Sequence, residues 1–342
     1  MDNFRQNISL SEYSTMRLGG NAAYLIEVEN EEELKNAALK AKSLSLPIIM
    51  IGRGSNIIWR DEGYPGLVIV NRIRGFTLND DGFGSYVTIG GGEIWDEAVA
   101  KTVELGLTGI ECLSLIPGTA GATPVQNVGA YGQEIAQTLV TLSAYDLETN
   151  QLVTLAGSDC GFSYRNSIFK TSARGRYLIT SITLMLSKGD PLPPFYPAVT
   201  NYLETHGITN YTPASLRQAV IDIRQAKLPD PDTVANCGSF FYNPVVDSSI
   251  LSTLEERYPV IPHWDVDNAK VKLSAAWLIS QAGFTNYYDQ LTGIATWPTQ
   301  PLVFVNRSAK QTADLLQFVS QVKTKVAQQF GVELIMEPQL LP

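Results

Sequence analysis

The chain has 342 residues, which is too long for one ordinary hydrophobic core, so two or three domains are expected. Its composition is 44% hydrophobic and 17% charged, with a net charge of −9, which is typical of a globular enzyme and argues against a nucleic-acid-binding or membrane surface. The sequence has no apolar run of membrane-spanning length and no signal-peptide pattern at its start. We therefore expect a cytoplasmic protein.

The first part of the chain alternates strand and helix. Asn30 is a suitable N-cap for a helix whose apolar positions extend to Leu44. Residues 47–51 and 67–70 are short apolar runs typical of buried strands. These elements form a β-α-β unit, which we assign to a first domain of residues 1–71.

From about residue 72 the sequence changes to strands punctuated by glycine. The clearest predicted strands are residues 86–89, 139–145, 151–155 and 177–186. A helix is predicted over residues 93–104, and residues 148–150 are typical of a hairpin connection. We group residues 72–213 as a second, mixed α+β domain.

The proline-rich stretch 191–197 separates this part from a new helix around Leu216, with Arg217 and Arg224 beside its apolar stripe. Further predicted elements are helices over 274–282 and 309–330 and strands over 302–305 and 332–336. We assign residues 214–342 to a third domain.

The cysteines and histidines are few and scattered. Cys112, Cys160 and Cys237 are widely spaced and form no CxxC pair, a pattern typical of reduced cytosolic thiols, and no metal site is predicted. Only His206 and His263 occur, far apart in the sequence, so the catalytic groups must be sought among other residue types.

Two segments are dense in small residues: 52–56 (Gly-Arg-Gly-Ser-Asn), directly after a predicted strand, and 116–132. Glycine lets backbone N–H groups approach a phosphate closely. Neither segment has the Gly-Lys-Ser/Thr sequence of a Walker loop or the third glycine of a Rossmann turn. Together the two glycine-rich segments indicate a dinucleotide held mainly by backbone groups, without a Rossmann fold.

Six motifs occur in one order along the chain: the two glycine-rich segments, then 164–170 (Tyr-Arg-Asn-Ser-Ile-Phe-Lys), 227–231 (Lys-Leu-Pro-Asp-Pro), 238–244 (Gly-Ser-Phe-Phe-Tyr-Asn-Pro) and 337–338 (Glu-Pro). With them, nearly the whole chain resembles the UDP-N-acetylenolpyruvoylglucosamine reductases, and Tyr196 with the segment around Trp264 resembles their type I form. The resemblance implies an α+β fold: a two-part FAD-binding module of the vanillyl-alcohol-oxidase-like (PCMH-type) class, followed by a C-terminal α+β substrate-binding domain.

The resemblance also implies a reaction in peptidoglycan precursor synthesis. A monomer would use NADPH and non-covalent FAD to reduce UDP-N-acetylglucosamine enolpyruvate to UDP-N-acetylmuramate, with ping-pong kinetics. Arg165 would face the enolpyruvyl carboxylate, Ser239 would protonate the α-carbon, and Glu337 would lie opposite Arg165 and help to polarise the enol ether. From the residues alone, an ion-paired surface arginine at Arg165 and a backbone-bonded serine at Ser239 are favoured, and the motifs that carry the resemblance reverse both interpretations.

The ligand-binding residues also follow from the resemblance. Those implied for FAD are Gly52, Arg53, Gly54, Ser55, Asn56, Gly118, Gly121, Ala122, Thr123, Gln126, Asn127, Gly129 and Arg224. Those implied for the substrate are Tyr131, Tyr164, Tyr196, Lys227, Asn243, Trp264 and Gln300. Trp264 replaces a common tyrosine and Ala122 a common hydroxyl residue, and Lys227 could instead complete a helix dipole.

Two alternatives remain at this point. One is another non-covalent FAD oxidoreductase of the same fold, acting on a hydroxy acid or a carbohydrate. Many such enzymes tether FAD through histidine or cysteine, but neither histidine lies in the glycine-rich segments and Cys112 is only near one, which favours a free cofactor. The other is a non-enzymatic nucleotide-binding regulator.

Overall fold

The computed structural model describes residues 4–82, 84–258 and 260–342, and the chain divides into two compact units. Unit 1 comprises Met1–Ile8, Ala22–Arg53 and Pro65–Ala226, and unit 2 comprises Ser9–Asn21, Gly54–Tyr64 and Lys227–Pro342. The division into domains 1–71, 72–213 and 214–342 stays a prediction, and its first three residues lie outside the described part of the chain.

The helices lie between runs of consecutive strands. The helices are α1 (Glu31–Ser43), α2 (Trp95–Glu104), α3 (Pro197–Thr205), α4 (Pro213–Lys227), α5 (Ser248–Glu255), α6 (Ala275–Ile279) and α7 (Thr312–Phe330). The strands are β1 (Arg5–Ser9), β2 (Asn21–Val28), β3 (Ile48–Ile51), β4 (Ile57–Trp59), β5 (Tyr64–Asn71), β6 (Phe76–Asp80), β7 (Ser85–Gly90), β8 (Leu107–Thr108), β9 (Gly129–Ala130), β10 (Gln133–Glu134), β11 (Leu139–Asp146), β12 (Gln151–Ala156), β13 (Tyr177–Lys188), β14 (Asn236–Ser239), β15 (Val245–Asp247), β16 (His263–Asp265), β17 (Lys270–Leu273), β18 (Tyr288–Asp289), β19 (Ile294–Trp297), β20 (Gln300–Asn306) and β21 (Gln339–Leu341).

The first sheet of unit 1 has the strand order β1-β2-β5-β3, and β3 and β5 pair in parallel. Helix α1 is capped by Asn30, whose side chain accepts a hydrogen bond from the Glu33 amide at 2.9 Å. The predicted β-α-β unit and its cap are therefore confirmed. Leu44 is 40% exposed, so the prediction that the apolar face reaches it is wrong: the helix ends at Ser43 and Leu44 lies in the turn that follows.

The second sheet of unit 1 has the order β12-β11-β13-β7-β6, and β8 pairs with β13 at its edge. The predicted hairpin is confirmed, because β11 and β12 pair antiparallel up to Asp146 and Gln151, with Asn150 at a φ of 58° in the connection. Helix α2 begins at Trp95, two residues after the predicted start, and its indole N–H donates to the Leu113 carbonyl at 3.0 Å. This bond joins α2 to the segment that leads into residues 116–132.

Unit 2 contains three small sheets, with the orders β14-β20-β19-β18, β15-β17-β16 and β21-β4. Its core is aromatic: Phe240 and Phe304 stack at 4.6 Å between ring centroids, and Phe304 and Phe318 pack edge to face at 5.0 Å. This core fixes β14, which carries Ser239, against α7.

The predicted strand 332–336 is wrong. Val332 and Leu334 are buried while Glu333 and Ile335 are exposed, so the alternation in the sequence is real, but it reflects core packing. The segment's only strand-like pairing is a single bridge between Met336 and Phe241. The C-terminal strand is instead β21, which pairs in parallel with β4.

The predicted helix 274–282 also differs from the structure. Helix α6 ends at Ile279 and continues into a π-helical turn, Ser280–Phe284, which includes Gly283 at a φ of 93°. None of the helices in the described part of the chain is both long and apolar enough to cross a membrane.

Candidate active site

The second glycine-rich segment, 116–132, is built around a 3₁₀ helix, Ala120–Gln126. The Gly121 amide donates to the Gly91 carbonyl at 2.9 Å, and a Cβ added at Gly121 would lie 2.9 Å from Gly91 Cα. Gly118 has a φ of 133°, a conformation that side chains rarely adopt. The small residues therefore let this segment lie directly against the backbone of the neighbouring sheet.

The first glycine-rich segment, 52–56, contacts the second one within unit 1. A Cβ added at Gly52 would lie 2.2 Å from Thr119 Oγ1, so a larger residue cannot occupy this position without displacing Thr119. The chain passes from unit 1 to unit 2 between Arg53 and Gly54. Gly54 has a φ of 69° and approaches Tyr13 so closely that an added Cβ would lie 2.1 Å from the Tyr13 carbonyl oxygen.

Asn127 organises the end of the second glycine-rich segment. It is buried, has a φ of 47°, and its amide group donates to Glu134 Oε2 at 2.8 Å and to the Ser163 carbonyl at 3.2 Å. Its side-chain oxygen accepts from the Ala136 amide at 3.0 Å. Thr123 is likewise turned inward, donating to Ala120 O at 2.7 Å, so these two side chains shape the segment.

Arg165 lies at the corner of a tight turn in unit 1. Ser163 and Asn166 exchange two backbone hydrogen bonds, of 3.2 and 3.1 Å, and Arg165 between them has a φ of 52°. Its Nη2 donates to the Gly129 carbonyl at 2.7 Å, and its Cζ lies 5.4 Å from the ring centroid of Tyr164, which is 41% exposed. The structure thus places Arg165 against the end of the second glycine-rich segment.

Tyr131 occupies the two-residue turn between β9 and β10, with a φ of 48°. Its ring packs edge to face on Tyr196, with centroids 5.7 Å apart, and its hydroxyl interacts electrostatically with the Arg224 guanidinium. Burial raises the pKa of Tyr131, and the charge of Arg224 partly offsets that rise.

Arg224 is partly buried, and one of its hydrogen-bond donors is unused. Its Nη2 donates to the Leu115 carbonyl at 3.2 Å, while its Nε has no hydrogen-bond partner among the described residues. Burial lowers the pKa of this guanidinium, and Tyr131 and Asp96 counteract that effect. An arginine with a buried, unused donor is suited to an anionic ligand.

Two of the predicted catalytic residues, Ser239 and Glu337, lie close together within unit 2. Ser239 is the last residue of β14, and the Glu337 amide donates to the carbonyl of the next residue, Phe240, at 3.0 Å. Nearby, burial raises the pKa of the Cys237 thiol to about 12, and the negative charge of Glu337 adds to the rise. Arg165 belongs to unit 1.

Lys227 and Gln300, both predicted to bind substrate, are neighbours in unit 2. Lys227 is exposed at the end of α4, and its carbonyl accepts from Thr299 Oγ1 at 2.8 Å. Gln300 follows Thr299 directly and begins β20. The structure therefore brings a flexible cation and an amide side chain to one end of a strand.

Asn243 and Trp264 lie elsewhere in unit 2. Asn243 Oδ1 accepts from the Ala275 amide at 3.0 Å, which positions the start of α6. Trp264 is 42% exposed on β16, opposite Lys272 of β17, whose Nζ lies 5.7 Å from the Trp264 ring centroid. Trp264 thus presents an aromatic face on the surface of this unit.

The sequence analysis missed Asp96 and gave Arg217 no role. Asp96 of α2 forms a two-pronged ion pair with Arg217 of α4, at 2.7 and 3.0 Å, and its Oδ1 also accepts from the Leu115 amide at 2.6 Å. Burial opposes ionisation of Asp96, but the hydrogen bonds from Arg217 and from the Leu115 amide lower its pKa overall. One signal was available: Arg217 and Arg224 are seven residues apart, a spacing that places both on one face of α4.

These features of unit 1 fit a flavin dinucleotide. Close backbone packing at Gly52 and Gly121 brings backbone of the two glycine-rich segments together, and Arg224 adds a positive charge with a buried, unused donor, which together suit a diphosphate. Within residues 4–82, 84–258 and 260–342 there is no group of three or more histidine, cysteine or acidic side chains able to hold a metal ion.

Comparison with known proteins adds independent evidence. The FAD binding domain family matches residues 22–155, and the family described as UDP-N-acetylenolpyruvoylglucosamine reductase, C-terminal domain, matches residues 230–341. The UDP-N-acetylenolpyruvoylglucosamine reductase of Chromobacterium violaceum is 37% identical over 340 residues, 99% of each chain. That of Escherichia coli K12 is 35% identical over 335 residues, 98% of this chain and 95% of the relative.

A solved structure supports the fold. The crystal structure of the UDP-N-acetylenolpyruvylglucosamine reductase from Thermus caldophilus superposes with a TM-score of 0.69 at 22% identity, covering 99% of this chain and all of the other. The predicted α+β fold, with an FAD-binding module and a C-terminal α+β domain, is therefore confirmed. The chain belongs to the UDP-N-acetylenolpyruvoylglucosamine reductase family and is a flavin-dependent oxidoreductase with FAD as its cofactor.

Proposed function

We propose that this protein is a cytoplasmic monomer that reduces UDP-N-acetylglucosamine enolpyruvate to UDP-N-acetylmuramate with NADPH, a step in peptidoglycan precursor synthesis. The observation that carries the proposal is the backbone bond from Glu337 to Phe240, because it ties the segment that carries Glu337 to the residue next to Ser239. Membership of the reductase family supports the choice of substrate.

The two glycine-rich segments and Arg224 would hold FAD, with backbone amides and one guanidinium toward the diphosphate. When bound, FAD supplies hydride transfer from NADPH to the β-carbon of the enolpyruvyl group. The protein's contribution is to orient the substrate, to stabilise the charge that develops on it and to deliver a proton.

Arg165 would bind the enolpyruvyl carboxylate. A guanidinium is charged at every working pH and offers a planar set of donors that matches a carboxylate. The hydrogen bond to the Gly129 carbonyl, at 2.7 Å, holds the guanidinium in place before the substrate arrives. Negative charge that grows on the carboxylate side of the substrate during hydride addition would be stabilised by this pre-positioned cation.

Ser239 would donate its hydroxyl proton to the α-carbon after the hydride has been added to the β-carbon. With Arg165, Glu337 would polarise the enol ether, and its backbone bond to Phe240 supports this role by keeping the Glu337 backbone close to that of Ser239. A serine hydroxyl is a weak acid, so the proposal requires that charge on the substrate is already developed when the proton moves.

The remaining predicted substrate-binding residues would bind the sugar nucleotide. Lys227 and Gln300, which are neighbours in unit 2, would contact the diphosphate with Asn243, as a compact ammonium and two amides. The aromatic rings of Tyr131, Tyr164, Tyr196 and Trp264 would contact the sugar or the base.

The test uses the two half-reactions separately, without oxygen. NADPH should bleach the flavin absorbance, and UDP-N-acetylglucosamine enolpyruvate should restore it while UDP-N-acetylmuramate forms. A flavin that is reduced by a hydroxy acid or a carbohydrate, and that the sugar nucleotide leaves reduced, would instead identify an oxidase and overturn the proposal.

A further inference from the structure

The second glycine-rich segment is bracketed by two residues with unusual backbone conformations. Leu115 precedes it with a φ of 55°, and Tyr131 near its end has a φ of 48°. Residues other than glycine rarely adopt this left-handed backbone conformation, and they keep it only where surrounding groups hold it. The structure shows what holds Leu115.

Both backbone polar groups of Leu115 are held by hydrogen bonds from or to side chains. Its amide donates to Asp96 Oδ1 at 2.6 Å, and its carbonyl accepts from Arg224 Nη2 at 3.2 Å. The residue before it, Ser114, accepts from Arg217 Nη1 at 2.7 Å through its Oγ. Side chains of helices α2 and α4 therefore converge on the backbone of one residue, Leu115, at the start of the segment.

Asp96 and Arg217 also hold each other in place. They bind each other at 2.7 and 3.0 Å, and their side chains are only 25% and 15% exposed. Two-pronged, partly buried pairs of this kind fix orientation as well as distance. Arg224, two turns further along α4, donates to the Leu115 carbonyl at the start of the segment, and its charge interacts with Tyr131 near the end.

We propose that Asp96 and Arg217 are positioning residues that hold the backbone of Leu115 in one conformation. This preorganises the second glycine-rich segment and Arg224 for FAD, and it preorganises Tyr131 for the substrate. The inference rests on the proposed function only in taking Tyr131 as a substrate contact. Neither residue is assigned contact with FAD, with the substrate or with the reacting atoms.

The variant Arg217→Lys tests this idea because lysine keeps the charge but loses the fork of donors. Its matched control is Arg176→Lys, since Arg176 forms the same two-pronged pair with Asp146 at 3.0 and 2.7 Å, between β11 and β13. In the full-length protein freed of flavin, Arg217→Lys should weaken FAD binding by about tenfold. This factor corresponds to an intermediate coupling energy between two residues in contact. Arg176→Lys should leave FAD affinity unchanged.

Two further readouts separate positioning from general stability. Hydrogen exchange of the Leu115 amide should accelerate by about tenfold in Arg217→Lys and stay unchanged in Arg176→Lys, because only the first variant loosens its acceptor, Asp96. The visible spectrum of bound flavin should shift in Arg217→Lys alone. Asp96→Asn, compared with Asp146→Asn, repeats the test from the other partner if Arg217→Lys does not fold.

Equal FAD affinity, equal Leu115 exchange and identical flavin spectra in the Arg217 and Arg176 variants would overturn the inference. The outcome is independent of the reaction proposed above. If the wild-type protein binds FAD but shows no turnover with the enolpyruvyl sugar nucleotide, the proposed function fails, while the effect of Arg217→Lys on FAD binding and on Leu115 exchange still decides the positioning role.

Discussion

The Glu337 amide donates to the Phe240 carbonyl at 3.0 Å, which ties the C-terminal segment to the strand that carries Ser239. Because this bond joins two backbones, substitution of the Ser239 or the Glu337 side chain leaves it in place. The roles of the two side chains can therefore be examined while their relative position is kept.

Ser239→Ala should separate the two half-reactions. Reduction of the flavin by NADPH should remain within about twofold of wild type, while reoxidation by the enolpyruvyl substrate should slow by about 10²- to 10⁴-fold, the usual contribution of a proton donor. Stopped-flow absorbance of the flavin measures both rates. Ser252→Ala, on the exposed face of α5, is the control, and equal loss of both half-reactions would exclude Ser239 as the proton donor.

Gly52→Ala should weaken FAD binding because its new methyl group would lie 2.2 Å from Thr119 Oγ1 and push the two glycine-rich segments apart. Overpacking of this kind corresponds to about a tenfold loss of affinity or more. The second-site change Thr119→Ala removes the clashing oxygen, so the double variant should regain part of the loss. FAD titration of the flavin-free protein measures the affinity of each variant. A double variant that binds FAD no more tightly than Gly52→Ala would contradict the predicted clash between residue 52 and Thr119.

Gly54→Ala should destabilise the protein far more than Gly331→Ala. Both glycines lie in unit 2 and have nearly the same φ, 69° and 67°, so both substitutions carry a similar conformational cost of about 1 kcal/mol. Only at Gly54 would the new Cβ meet a backbone atom, the Tyr13 carbonyl oxygen at 2.1 Å, whereas at Gly331 no described atom lies within 4 Å. Urea-unfolding midpoints that coincide for the two variants would contradict this account.

Acid stability should depend on Asp146. The hydrogen bonds from Arg176 lower the pKa of Asp146 from 3.8 to about 2, against the effect of burial. The ionised carboxylate therefore stabilises the fold by about 2 kcal/mol above pH 4, and this contribution is lost as the pH falls towards 2. Asp146→Asn should be less stable at neutral pH and should lose less on acidification. If the stability of the variant and of the wild type fell in parallel with pH, Asp146 would not be a source of the acid sensitivity.

Local patterns predicted much of the fold. The Asn30 cap, the buried strands β3 and β5, and the hairpin at Asn150 are all indicated by short stretches of sequence, and all are confirmed. One error concerns a remote partner. Residues 332–336 alternate like a strand, but the strand that pairs is β21, because its partner β4 lies near the start of the chain.

The same distinction applies to the site. Glycine density indicated where a dinucleotide could be held, since glycine content is a property of one segment. The inward orientation of Asn127 and the pairing of Asp96 with Arg217 involve residues separated in the sequence, and neither could be predicted without the fold. The assignment of Arg165, Ser239 and Glu337 to one substrate came from the family resemblance, and it stays a prediction.

The most direct test of the account is steady-state NADPH oxidation by the purified holoenzyme, with and without UDP-N-acetylglucosamine enolpyruvate. We expect rapid oxidation only when the sugar nucleotide is present, with one UDP-N-acetylmuramate formed for each NADPH consumed and ping-pong kinetics. NADPH oxidation that the sugar nucleotide does not accelerate, or that yields no UDP-N-acetylmuramate, would contradict the proposed reaction.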